Sequence, residues 1–212
     1  MFAFATRFSL LTEFRMTRGR SLLALLAAVV LSGCQTTPSP SGYAHITFGH
    51  KGTFNLVAQE LVIEQEYLSP AQAPNVEHIF PIPPALTAEQ WALDRLRASG
   101  VQDNSRLVYR VLEASVIEEK IEPGEETLES FFRKDPTEAY TGKIRVNLSL
   151  EDARGFTLAS VNAQAERKMT ALPDLTLNER EALWFSMTEK LMAEIDQQLE
   201  TAIPQHFGKY LQ

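Results

Sequence analysis

The most regular stretch of the chain runs from Lys143 to Leu150, where Ile144, Val146, Leu148 and Leu150 alternate with Lys143, Arg145, Asn147 and Ser149. A period of two sets one face of a strand against a core and the other against water. Asp152 to Gly155 reads as a turn that returns the chain into a second strand, Phe156 to Thr170. There Ala159, Val161, Ala163 and Ala165 alternate with Ser160, Asn162, Gln164 and Glu166. Two neighbouring strands, each apolar on one side, predict an antiparallel hairpin under a helix layer. The small alanines leave room for that helix to approach closely.

Leu177 to Ile203 supplies it. Trp184, Met187, Leu191, Ile195, Leu199 and Ala202 recur at spacings of three and four, and Thr176 with Glu179 forms a capping box at the start. Pro204 is expected to end or kink this helix. Phe207, Tyr210 and Leu211 then predict a short amphipathic turn that tucks the C-terminus back. An earlier helix is expected from Thr87, capped with Gln90, carrying Ala88, Trp91, Ala92 and Leu96 on its apolar side and ending at Gly100. Pro74 to Pro84 predicts extended chain, because each proline fixes φ and turns its predecessor away from helix. Leu107 to Ile121 reads as a long strand. Thr53 to Tyr67 reads as a strand or strand pair, with Leu56, Val57, Leu61, Val62 and Ile63 as its buried positions. The order β-α-β-β-β-α over residues 44 to 212 predicts a single two-layer α+β domain, a mainly antiparallel sheet packed on two helices.

The N-terminal fifth has a different grammar. Arg18 and Arg20 precede ten apolar residues, Leu22 to Leu31, which close on Ser32, Gly33 and Cys34. A basic patch, a short apolar run and small residues at a cleavage point describe a secretory signal. A membrane span needs about 20 apolar residues, twice this run. Leu31-Ser32-Gly33-Cys34 resembles the lipobox of bacterial lipoproteins, and the resemblance covers Met16 to Cys34. It implies diacylglycerol on the Cys34 thiol, cleavage between Gly33 and Cys34, and palmitate-class chains that hold the protein on a membrane. Each buried methylene adds ~0.8 kcal/mol, so two or three chains anchor almost permanently. The proportions of the signal fit a start at Met16; a genuine long leader over residues 1 to 15 is the alternative. Gln35 after the modified position implies the outer membrane rather than the inner, following the enterobacterial sorting pattern. Residues 1 to 33 are thus expected to be signal. Residues 34 to 43, which contain QTTPSPSG, are expected to form a flexible tether.

Charge and composition narrow the function. Loss of residues 1 to 33 removes Arg7, Arg15, Arg18, Arg20 and Glu13, so the formal charge of −7 becomes −10. An acidic surface is a poor match for phosphate backbones, so no nucleic acid is expected. Cys34 is the only cysteine, and lipid on its thiol leaves none for a disulfide. No G-x-S-x-G, S-x-x-K or H-E-x-x-H motif is present. His45, His50, His78 and His206 lack metal-ligand spacing and read as solvated. Glu118, Glu119, Glu122, Glu125, Glu126 and Glu129 lack the loop order that folds carboxylates around calcium. Neither a metal nor any other cofactor is expected. Asn147-Leu148-Ser149 matches a glycosylation sequon by chance.

The remaining feature is Phe131-Phe132, placed in a polar connection from Glu122 to Glu138. Either the rings plug the rim of the core, or they form an aromatic contact for a partner. Residues 44 to 212 carry an architectural likeness to the small auxiliary lipoproteins of envelope transport and assembly machines, with no motif behind it. The expected function is a non-enzymatic binding or scaffolding component, anchored by lipid, facing the periplasm and holding an envelope protein partner. Two alternatives stand beside it: a lipid-binding module with an acyl-chain groove between helices and sheet, and a cell-wall hydrolase using paired carboxylates.

Overall fold

The structure, a computed structural model, describes residues 42–101, 104–122 and 135–212. Three long strands dominate: β4 (Arg106–Lys120), β5 (Glu138–Glu151) and β6 (Thr157–Ala171). They follow β1 (Phe54–Leu56), β2 (Glu60–Gln65), α1 (Pro84–Arg95) and β3 (Leu96–Ala98), and precede α2 (Leu177–Phe207). The main sheet has the order β2-β4-β5-β6, antiparallel from β4 onward. β2 joins it in parallel, with Leu61 opposite Leu107, so α1 lies on the crossover between them.

The expected hairpin is there. Ile144, Val146, Leu148 and Leu150 lie opposite Ala165, Ala163, Val161 and Ala159, and the first three of those partners are buried under α2 with the β5 residues. The turn is held by Asp152, whose carboxylate accepts from the N–H of Arg154 (2.8 Å) and of Phe156 (2.9 Å). Gly155 sits at φ +83°, where an L side chain is strained. The capping box of α2 also forms: Glu179 N–H donates to Thr176 Oγ1 (3.3 Å) and Thr176 N–H donates to Glu179 Oε2 (2.8 Å). The C-terminus tucks back as expected. Leu211 bridges Leu56, and Val57 N–H donates to the Tyr210 carbonyl (2.8 Å).

Four expectations need correction. Thr87 does not cap α1. The helix begins at Pro84, whose fixed φ suits the first turn and whose missing N–H would have no partner there anyway. Thr87 lies inside, its hydroxyl donating to the Pro83 carbonyl (3.2 Å). Second, α1 ends at Arg95 instead of Gly100, because Leu96 turns extended and Leu96–Ala98 pairs in parallel with β1 as a separate small sheet. Third, the proline-rich segment is not wholly extended: Glu77–Ile79 makes a 3-10 turn, and Glu77 is buried. Fourth, of the two outcomes expected at Pro204, an end or a kink, the end does not occur: α2 runs through Pro204 to Phe207. The lost backbone bond is offset by Ile203 and Phe207, both fully buried on either side of the proline.

At Gly142 the second helix lies directly on the sheet. A Cβ on Gly142 of β5 would lie 2.8 Å from Leu191 Cδ1 and 2.9 Å from Met187 Sδ. At this point of the interface Leu191 and Met187 fill the space that the alternative of an acyl-chain groove would need. Gly142→Val is expected to cost about 2–3 kcal/mol in urea unfolding, at the upper end for overpacking. Gly142→Ala should cost about 1 kcal/mol, since the flexible ends of Leu191 and Met187 can give way.

Candidate functional site

Residues 43 to 51 lie across both helices before β1, forming a strap. Tyr43 stacks on Phe185 of α2 (centroids 5.1 Å apart), and its hydroxyl donates to the Asn178 carbonyl (3.1 Å). Asp94 of α1 holds the middle of the strap. Its carboxylate accepts from Thr47 Oγ1 (2.7 Å), Phe48 N–H (2.6 Å) and, on the same helix, Gln90 Nε2 (2.7 Å). Burial works against its charged form, but these donors outweigh it and hold its pKa below the usual aspartate value.

The end of the strap is held by a buried charge cluster. Asp196 of α2 is 2% exposed and accepts from Trp91 Nε1 of α1 (2.8 Å). Lys51 of the strap donates to the same carboxylate, and that bond is the main reason its ammonium pKa is raised. Arg95 of α1, 1% exposed, lies with Nε 3.4 Å from Asp196. Its other nitrogens donate to the Gly52 carbonyl and to Glu200 (3.2 Å), and its guanidinium covers the Phe54 ring. Two cations facing two carboxylates leave the cluster neutral, which is what permits its burial.

Between strap and helix is an open groove of about 300 Å³. His45 and Ile46 form one wall, Pro81 to Pro83 the floor, and Leu86, Glu89, Gln90 and Leu93 of α1 the other wall. Leu86 and Leu93 are 57% and 52% exposed, one above the other two turns apart. The Thr87 hydroxyl is committed to the Pro83 carbonyl. The groove therefore offers apolar contact with a carboxylate and an amide on its rim, the chemistry of a binding site.

The residues singled out from sequence fall differently. Gly33, Cys34, Phe131 and Phe132 lie outside the described residues, as do Glu125, Glu126 and Glu129. His45 lines the groove; His50, His78 and His206 are exposed elsewhere. Among the described residues no three His, Cys, Asp or Glu side chains are grouped to hold a metal ion. No described helix is long and apolar enough to cross a membrane. Asn147 of the sequon points its amide at Ser160 and Asn162 across the hairpin (both 2.9 Å). Trp91 and Trp184 are core residues. The sequence reading overlooked Leu86 and Leu93, although their spacing of seven, opposite Ala88, Trp91 and Ala92, marks a second apolar stripe. It also overlooked Asp196, a charge set among Ile195 and Leu199 on the buried side of α2.

No family model matches the sequence, and no curated protein matches it. Solved structures that resemble the fold include a minor lipoprotein from Acinetobacter baumannii, 16% identical, covering 68% of this chain and 94% of that one at a TM-score of 0.34. A Xanthomonas campestris protein is 11% identical, covering 77% of this chain and 96% of that one at 0.34. A lipoprotein from Neisseria meningitidis is 11% identical, covering 66% and 96% at 0.21. At these values none of them fixes a family for this chain.

Proposed function

We propose that this chain is a membrane-anchored lipoprotein of the cell envelope, facing the periplasm from the outer membrane, whose domain is a non-enzymatic binding component. Lipid on Cys34 is the anchor, and the tether hands over to the strap at Tyr43. The observation that carries the binding role is the paired exposure of Leu86 and Leu93 over a groove whose opposite wall is that strap. Nine residues from Cys34 to Gly42 reach at most ~32 Å, so the groove works close to the membrane surface. The partner is a protein segment with apolar side chains for the groove and a Lys or Arg at its border, matched to Glu89 and to the acidic domain. Phe131 and Phe132 are proposed as further partner contacts.

A photo-crosslinking residue at position 86 of the full-length protein tests it in cells. One envelope protein is expected in the crosslinked band, and Leu93→Asp should reduce its yield at least about tenfold, as for a central interface residue. Glu89→Lys should weaken it less, chiefly at low salt. Cys34→Ala should abolish it through mislocalisation while leaving thermal unfolding unchanged. A crosslink indifferent to Leu93→Asp in correctly lipidated protein would overturn the groove as the site. Mature protein of unmodified mass would overturn the anchor.

A further inference from the structure

β6 is the outer strand of the main sheet, with β5 on one side and, among the described residues, no strand on the other. The outward direction of its main chain is fixed at Gln164. There the N–H donates to Gln198 Oε1 of α2 (3.1 Å), and the carbonyl accepts from Gln198 Nε2 (2.8 Å). A side-chain amide thus stands where the peptide group of a neighbouring strand would stand. Outward main-chain groups recur every second residue in an antiparallel strand, so those of Ser160, Asn162, Glu166 and Lys168 face the same way. All four residues are exposed. A long edge of this kind is a template for another strand unless it is blocked or charged.

We propose that the β6 edge pairs antiparallel with β6 of a second copy of this chain, with position 167 on the two-fold axis. The charge pattern selects that register. Position 167 opposite its counterpart places Glu166 of each copy opposite Lys168 of the other, giving two cross-strand ion pairs and bringing outward main-chain groups together. Their side chains are 61% and 60% exposed, so both heads are free to be shared across the contact. A pairing centred on position 166 would set Glu166 against Glu166. One centred on 164 would match Glu166 with Asn162 and Lys168 with Ser160, with no charge gain. Arg167 would face Arg167 on the helix side of the sheet, but each lies near its own Glu194 (3.6 Å). A lysine on an edge ordinarily discourages pairing; two positions from a glutamate, it becomes half of a reciprocal pair. Gln198 gates the contact, because Gln164 meets Thr170 of the second copy in this register and the amide must leave first. The proposal depends on neither Cys34 nor the α1 groove.

Sedimentation of the full chain in mild detergent, over a concentration series, tests it. The native chain should form dimers, and Glu166→Lys or Lys168→Glu alone should weaken dimerisation at least about tenfold. The decisive sample mixes the two single variants. One chain then carries Lys at 166 and 168 and the other Glu at both, so both cross-strand pairs are opposite in charge and mixed dimers should reappear. The intrachain contacts of Glu166 with Lys143 and of Lys168 with Glu119 are not rebuilt by mixing, so recovery reports the contact between copies alone. A native chain that stays monomeric at about 100 μM, or dimers that ignore both reversals, would overturn the proposal.

Discussion

Asp196→Ala is expected to destabilise the domain by about 3–5 kcal/mol, the usual loss when one member of a buried charge cluster is removed. Asp196 is 2% exposed and Arg95 1% exposed, so neither can recover its hydration when the other is gone. Trp91 Nε1 loses its acceptor, Lys51 Nζ keeps only a longer bond to Glu200 (3.4 Å), and Arg95 loses the carboxylate 3.4 Å from its Nε. Glu200 stays to face Arg95, but its side chain is 50% exposed and screened by solvent. Glu200→Ala should therefore cost under about 1 kcal/mol. Asp196→Asn should fall between the two, because it keeps an acceptor for Trp91 while removing the charge. Urea unfolding of the three variants measures all of this, and equal losses for Asp196→Ala and Glu200→Ala would show that burial is not felt. The functional consequence follows from the strap. With Lys51 released from Asp196, the strap that carries His45 and Ile46 is held at its far end only through Glu200 and the Arg95–Gly52 bond, and crosslinking from position 86 should fall while lipidation is intact.

The parts of the fold legible in the sequence were those where local chemistry and tertiary packing agree. β5 and β6 alternate cleanly because one face meets α2 and the other meets water. The α2 start is readable because its capping box is closed by two residues three apart. Misreadings came where a distant partner overrode the local signal. Thr87 and Gln90 have the spacing of a cap, yet Pro84 opens the helix a turn earlier and Gln90 turns to Asp94. Leu96 reads as one more helical apolar residue, but pairing with Phe54 across the sequence draws it into a strand. Nothing near Asp196 in the sequence announces Lys51, 145 residues away. Of the candidate site, the proposed lipid anchor rests on the motif Leu31-Ser32-Gly33-Cys34, outside the described residues. The groove was not legible, because His45 and Leu86 become neighbours only when the strap crosses α1.

Glu77→Ala is expected to cost about 3 kcal/mol, since it would leave the buried Val116 N–H and the half-buried Tyr67 hydroxyl without their acceptor. The carboxylate is 3% exposed and accepts from Tyr67 Oη (2.7 Å), Ser69 Oγ (2.5 Å) and the Val116 N–H of β4 (3.0 Å). It thereby pins the proline-rich segment to the middle of the sheet. Burial alone would favour its neutral form, but the hydrogen bonds outweigh that and hold its pKa below the ordinary 4.5. Burial first, and then the bond to Glu77, push the Tyr67 hydroxyl upward, so the donor keeps its proton throughout the acid range. A depressed folded pKa gives stability that is present above about pH 4.5 and lost as pH falls through the folded value. Asp94, Glu138, Glu151, Asp152 and Glu179 are shifted the same way, so acid unfolding of the native chain reports them together with Glu77. Glu77→Gln separates them. It preserves shape and one acceptor, so it should cost about 1–1.5 kcal/mol near neutral pH, and the gap from the native chain should close as pH drops below 4.5. Unfolding free energies at pH 7 and pH 4 decide it: a gap that stays constant between them would mean that the charge of Glu77, as distinct from its shape, contributes nothing to holding the segment in place.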